Sequence, residues 1–342
     1  SLEATVLPDG MVRLHFGIDL LIADAASLSI IAEELILLYE EQDVKLTPLP
    51  FSFKDHVLAS QHAVKKQDLA AAECWWDASI ATFPAGPELP TRDDQLALQS
   101  TTFRRRSHCL NGKNWAALRS SAQRIGVSAT SLLLSAFSHV LGRWSRTPEF
   151  ALNLTVFNRP RVKGADTLIG DFTDILLLPV DLKTVTSVRS AALQIQDRLW
   201  EALDHAALSG VRVTEKLIRA GRLRAPLPVV FTSLLDQPKQ DTNAAISALG
   251  IETVYTISQT PQVWLDHQVM EQDGCLYLNW DAVEELFDAR ILDEMFASYV
   301  ALLEGLALDP TLLEAADLPR LPAVALPVAE SALPVASLHD GL

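Results

Sequence analysis

The chain has 342 residues, 49% of them hydrophobic and 21% charged, and a net charge of −15. This composition belongs to a globular protein, and its acidity argues against a nucleic-acid backbone or an anionic membrane as partner, since both need a basic surface. No apolar run reaches the roughly 18–20 residues that span a bilayer, and the opening SLEATVLPDG lacks the basic and apolar regions of a signal peptide. Three widely spaced cysteines (Cys74, Cys109, Cys275) make no disulfide scaffold and fit a reducing cytoplasm. The sequence holds no CxxC or HExxH zinc signature, no Gly-rich phosphate loop and no GxSxG elbow.

Residues 11–18, MVRLHFGI, alternate Val12, Leu14 and Phe16 with Met11, Arg13 and His15, which predicts a strand. The stretch GIDLLIADAAS continues it, with Asp19 at the end of what reads as a buried strand. Residues 27–41 predict an amphipathic helix with Ser27 as N-cap, so Asp24 lies in the strand-to-helix loop. The Pro-rich stretch 84–95 connects a first unit (1–92) to a second (93–317). TTFRRRSHCL predicts a strand with Arg104–Arg106 at a solvated end, and the WW pair at Trp75 and Trp76 predicts helix packing.

Residues 128–144 predict a strong helix, with Leu133, Phe137, Val140, Leu141 and Trp144 on one stripe. In the strand 150–157 the polar Asn153 and Thr155 share a face opposite Phe150, Leu152 and Leu154. The short strand LPVVFTS (227–233) ends in Thr232 and Ser233. Strands at 260–269 and 275–281 are joined by the turn EQDG, and Asp281 with Glu284 form a capping box for a helix over 282–304. The tail 318–342, rich in Pro and Ala, reads as an interdomain linker.

Taken together these segments resemble the heterocyclization domain of nonribosomal peptide synthetases, a branch of the condensation-domain superfamily. Asp19, Asp24 and Ser27 match its DxxxxDxxS hallmark. Its other blocks match RWSRTPEFALNLTVFNRP (143–160), IGDFTDILLLPVD (169–181), LPVVFTS and QTPQVWLDHQ (259–268). Ordinary condensation domains carry HHxxxDG at the hallmark. Their second histidine aligns with Leu20, whose side chain can neither take nor give a proton.

The resemblance implies an α/β fold of α+β type, with two lobes like chloramphenicol acetyltransferase set in a V around a tunnel. The residue pattern by itself supports an α/β mixture. The family's hallmark lies more than a hundred residues into its domain, whereas here it begins at residue 19, so a truncated N-terminal lobe is expected. The implied activity condenses a carrier-bound acyl or peptidyl thioester with carrier-bound Cys, Ser or Thr, then cyclodehydrates the product to a thiazoline or oxazoline. Implied partners are donor and acceptor carrier proteins, with an adenylation domain past the linker. No cofactor or metal is implied within the domain, because the phosphopantetheine arms belong to the carriers. Two alternatives stand beside this reading: a condensation or acyl-transfer domain that stops at the amide or ester, and a silent scaffold that docks carriers.

By family match Thr232 and Asp266 are the cyclodehydration pair, with Asp19 a further catalytic candidate. A carboxyl set in sequence between Trp264, Leu265 and His267 is in apolar surroundings that raise its pKa. His267 points the opposite way along a strand and is a structural histidine. Asp24 is expected to pair with Arg159 in a structural role, and Asn153, Thr155, Ser233 and Gln259 to line the tunnel.

Overall fold

The computed structural model describes residues 1–41, 43–63, 65–92, 101–160, 164–235 and 250–315; the linker reading of the tail lies outside them. The chain opens with a hairpin of β1 (Leu2–Val6) and β2 (Val12–Phe16), every residue of which is exposed. The buried strand expected at 11–18 is therefore an exposed one. Its alternation is real, but alternation fixes which side chains share a face and not what covers that face.

Three helices follow: α1 (Ala25–Glu40), α2 (Phe53–Ala63) and α3 (Lys66–Ile80). The N-cap of α1 is Asp24 and not Ser27, which lies a turn further in. Asp24 holds the extended backbone of a cap, and its carboxylate accepts the Ser27 N–H at 2.8 Å. Either residue type can cap; here the buried partners of Asp24 decide between them.

The rest of the chain alternates β3 (Phe103–Leu110), α4 (Gly112–Ile125), α5 (Ala129–Trp144), β4 (Glu149–Phe157), β5 (Thr173–Asp181), α6 (Val188–Asp204), α7 (Gly210–Arg219), β6 (Val229–Ser233), β7 (Leu265–Gln272), β8 (Cys275–Val283) and α8 (Ala289–Leu308). Its six strands form one sheet in the order β3-β8-β7-β6-β4-β5. The pairs β4–β6 and β6–β7 are parallel and the others antiparallel. The α/β reading is thereby met. The β7–β8 hairpin turns on Asp273 and Gly274, both at positive φ (52° and 74°), with Gln272 paired to Cys275. That is the two-residue turn whose twist suits a hairpin.

One face of the sheet is the core. Helix α5, capped by Ser128, buries Leu132–Leu134, Phe137, Val140, Leu141 and Trp144 against it. At about 1.5–3 kcal/mol for each large apolar side chain taken from water, this stripe is a major stabilising element. Ala72, Trp76, Phe83 and Leu89 belong to the same core. A boundary at 92/93 thus separates residues that pack together, because the 84–92 segment lies along the sheet unit: Ala151 N–H donates to Ala85 O and Arg146 N–H to Glu88 O. Trp76 packs as expected, and Trp75 stacks on His205 with ring centroids 4.5 Å apart.

The helix expected over 282–304 begins later, at Ala289, with Asp288 as its cap. Asp281 is no cap: β8 continues through it, paired with Arg105 on β3 and Asp266 on β7. Two sheet partners outweigh a local capping option. The arginines of β3 are likewise not all solvated. Arg106 is buried against Glu284 and Asp293 at 2.5 and 2.6 Å, and Arg105 joins Asp281; Arg104 is exposed.

Candidate active site

The opposite face of the same sheet carries a row of polar side chains, which strand alternation turns away from the core. Register places Thr155 on β4 beside Thr232 on β6, Thr232 beside Gln268 on β7, and Asp266 on β7 across from Asp281 on β8, which pairs with Arg105 on β3. Five strands therefore deliver one row of side chains on rigid supports.

The row is hydrogen-bonded end to end. The hydroxyls of Thr155 and Thr232 lie 2.8 Å apart, and Thr232 Oγ1 is 3.5 Å from Asp266 Oδ1, a long contact of the kind that substrate tightens. Gln268 Nε2 donates to Asp266 Oδ2 at 2.8 Å and to Asp281 Oδ2 at 3.3 Å. Arg105 grips Asp281 in bidentate fashion, Nε to Oδ1 at 2.7 Å and Nη2 to Oδ2 at 2.5 Å, and Nη2 also donates to Gln268 Oε1 at 3.1 Å. Arg105 reaches Thr256 as well, and Ser258 N–H donates to Asp281 at 2.8 Å, so the segment running into β7 is tied to this face.

Asp266 is 8% exposed, while Thr232, Thr155 and Gln268 are half-buried. Burial raises the Asp266 pKa above the ordinary 3.8, and the negative charge of Asp281 adds to the rise. Hydrogen bonds from Gln268 and Ser258 and the Arg105 charge pull against it. The direction agrees with the sequence expectation, with burial the largest cause. Leu265 and His267 occupy the other face, and the groups that modulate Asp266 are Gln268 two residues along β7, Asp281, Ser258 and Arg105.

His267 lies on the core face among Phe137, Phe231, Trp280 and Tyr299. Its Nδ1 is 3.1 Å from Asn279 O, its Nε2 is buried without a hydrogen bond among the described residues, and burial pushes its pKa down to about 3. It takes no part in the polar row.

The other candidates divide. Asn153 shares the face of the polar row; its Nδ2 donates to Leu227 O at 3.2 Å and its buried Oδ1 has no partner among the described residues. Ser233 does not line that face: it alternates with Thr232 and is 3.0 Å from Thr130 on α5. Gln259 is exposed, next to Ser258. Asp19 is exposed in a turn, where Oδ1 accepts Leu21 N–H at 2.9 Å, and it is not hydrogen-bonded to the row. Leu20, in the place of the histidine, is 47% exposed.

Asp24, Ser27 and Arg159 form a separate buried latch. Asp24 Oδ1 accepts from Ser27 N, Ser27 Oγ and Arg159 Nη2 at 2.8, 2.7 and 2.7 Å. Arg159 Nη1 donates to the carbonyls of Ala165 and Leu168, and its guanidinium sits 4.3 Å from the Phe172 ring centre. Ser27 Oγ bridges both backbone groups of Gly170, and Asp24 N–H donates to Gly170 O. Gly170 packs closely under Phe53: a Cβ there would lie 2.2 Å from the ring, which would have to move.

Asp281, Gln268 and Arg105 are the site residues that sequence reasoning missed. The available signal was the period of two in LNWDAV, which puts Asn279 and Asp281 opposite Leu278, Trp280 and Ala282 and belongs to a strand.

The condensation-domain family model matches residues 12–318. The chain is 33% identical over 309 residues to bacitracin synthase 1 of Bacillus licheniformis, covering 89% of this chain and 6% of that protein. It is 36% identical over 299 residues to pyochelin synthetase PchF of Pseudomonas aeruginosa, covering 87% of this chain and 16% of that one. The chain thus spans a small part of the curated relatives it matches. Among solved structures it superposes on the EpoB cyclization-docking bidomain of a nonribosomal peptide synthetase from Sorangium cellulosum with a TM-score of 0.82 and 37% identity, over 92% of this chain and 63% of that one.

Proposed function

The chain belongs to the condensation-domain family, and from that premise we propose that it is the heterocyclization form of that domain within a nonribosomal peptide synthetase. It joins a carrier-bound acyl or peptidyl thioester to carrier-bound Cys, Ser or Thr, then closes the product to a thiazoline or oxazoline. The observation that carries the second step is the buried Asp266 carboxyl with its raised pKa, set 3.5 Å from the Thr232 hydroxyl on the adjacent parallel strand. Similarity to the EpoB cyclization bidomain supports the same branch.

Condensation needs two thioesters brought together, and positioning supplies much of that rate. Cyclodehydration needs more. The thiol or hydroxyl of the new amide's side chain adds to the amide carbonyl, giving a tetrahedral carbon that bears a hydroxyl and the ring N–H. That hydroxyl leaves as water when it receives a proton, and the ring nitrogen gives up its own as the C=N bond forms. Asp266 donates the first proton from Oδ1, oriented by Thr232, and its carboxylate recovers the second, so the cycle closes. Burial keeps Asp266 protonated to higher pH than an exposed aspartate. Ring formation falls as pH rises through its pKa.

The reacting chains arrive on phosphopantetheine arms of donor and acceptor carriers, an adenylation domain lies beyond 318–342, and no cofactor is required of the domain itself. The assembly works in the cytoplasm. Among the described residues no single helix is long and apolar enough to cross a membrane.

The test is product mass on the acceptor carrier. Asp266→Asn keeps the shape and removes the proton, and Thr232→Ala removes the orienting hydroxyl. Both should accumulate uncyclised amide, about 18 mass units heavier than the ring, with ring formation down about 10²–10⁴-fold, the usual worth of a positioned acid. Wild-type ring formation in both variants would sink the assignment. Equal collapse of condensation would place the pair in the shared tunnel instead. A domain that stops at the amide would give no water loss even in the wild type.

A further inference from the structure

Gln268 stands out on the polar face because it touches both carboxylates and the guanidinium at once. A side-chain amide has a donor end and an acceptor end, and its surroundings decide which points where. Arg105 Nη2 can only donate, so the group that meets it at 3.1 Å is the amide oxygen. The nitrogen end then faces Asp266 Oδ2 at 2.8 Å and Asp281 Oδ2 at 3.3 Å. The flipped amide would set its NH2 against a guanidinium and its oxygen against two carboxylate oxygens. Arg105 is itself fixed by both oxygens of Asp281 and by Thr256.

We propose that Gln268, locked in one orientation by Arg105 and Asp281, is the positioning residue that places the Asp266 proton on Oδ1, the oxygen facing Thr232. An oxygen that already accepts an N–H at 2.8 Å is the poorer site for a proton, so Oδ2 stays the acceptor and Oδ1 carries the hydrogen. Oδ1 is also the oxygen within reach of the half-buried Thr232, where substrate can arrive. Without Gln268 nothing holds the proton off Oδ2, which then faces the Asp281 carboxylate, so the proton moves to the oxygen that points away from the reaction. The inference rests on the reading of Asp266 as the cyclodehydration acid and adds the residue that aims it.

The groups facing Asp266 are few among the described residues. β8 presents Asp281, β3 presents Arg105, β6 presents the Thr232 hydroxyl with Thr155 of β4 behind it, and the segment before β7 presents Ser258. Only Asp281 and Arg105 among these are charged, and they are paired with each other.

The test uses the full protein with loaded donor and acceptor carriers, reading amide and ring by mass from pH 5 to 9. Gln268→Met should leave condensation within about threefold while ring formation drops about 10–100-fold, the scale of a misaimed catalytic group. Its alkaline limb should move to higher pH, since the N–H that favours ionised Asp266 is gone. Arg105→Met should give the same ring-to-amide split, together with a fall in the thermal midpoint from stranding buried Asp281 that Gln268→Met does not share. Gln268→Glu keeps the size and the Arg105 contact but replaces the donor with an acceptor; it serves should the Met variants fold poorly, and should show the same split. Parallel loss of condensation and ring formation with an unmoved limb would make Gln268 structural and overturn the proposal. So would wild-type ring formation in Gln268→Glu. Asp266→Asn separates the two levels: if it blocks ring closure while the Gln268 variants do not, only this proposal falls; if it does not block it, the acid assignment falls first.

Discussion

Replacing Asp24 with Ala should unfold the protein before it touches the chemistry. The Asp24 side chain is 1% exposed and that of Arg159 15%. Removing the carboxylate strands the guanidinium with two backbone carbonyls and the Phe172 ring. Breaking a buried pair from one side costs roughly 3–5 kcal/mol. Loss of the cap is worth about 1 kcal/mol by itself, but it runs through the same Oδ1, so the two do not add. At about 2–4 °C per kcal/mol the thermal midpoint should fall by roughly 6–20 °C. Asp24→Asn keeps an acceptor oxygen and the cap and should fall less. Combining Asp24→Ala with Arg159→Met removes the stranded charge and should recover part of the loss, since apolar replacement of both partners is often near neutral. The assay pairs thermal unfolding with product mass on the carrier. An unchanged midpoint with lost turnover would refute this reasoning and move Asp24 into the reaction; a double variant worse than either single would refute the pairing as its cause.

Two further outcomes follow from which face of the sheet a residue occupies. His267→Met should flatten the acid loss of stability. The unfolded chain takes up a proton near the ordinary 6.5 and the folded one not until about 3, so the wild type loses up to about 1.4 kcal/mol per pH unit as pH falls through that window; a variant with the wild-type acid slope would contradict it. Ser233→Ala should leave the ring-to-amide ratio unchanged and cost about 1 kcal/mol for its contact with Thr130; a shifted product ratio would put Ser233 back on the reactive face.

Periodicity carried much of the sheet. The strands at 150–157, 227–233 and 275–281 and the helix at 128–144 are where their patterns put them, give or take a residue or two. It failed at choices between a local and a distant partner. Asp281 followed by Glu284 satisfies a capping box, yet Arg105 lies 176 residues away in sequence and binds it with two hydrogen bonds. Ser27 can cap a helix, yet its hydroxyl is taken by Gly170, 143 residues on. Thr232 and Ser233 are equally polar, and only the sheet's register shows that one faces Asp266 and the other faces α5. Thr232 and Asp266 came from family pattern; the network that holds Asp266 came from contacts between strands, which no single segment encodes.

Asp266 and His267 are neighbours in sequence that one physical cause drives to opposite uses. Burial disfavours the charged form of each group. For His267 the neutral form is an imidazole that holds no acidic proton near neutral pH, and its Nδ1 meets the backbone carbonyl of Asn279. For Asp266 the neutral form is the protonated acid, which is what a departing hydroxyl needs. The sheet then separates them: alternation turns His267 into the aromatic core and Asp266 toward Thr232. In the proposed reading, a chain with Leu20 where condensation domains place a histidine takes its proton from Asp266 instead, a carboxyl whose pKa is raised by burial and by the nearby charge of Asp281, on the face where the hydroxyls of Thr155 and Thr232 meet.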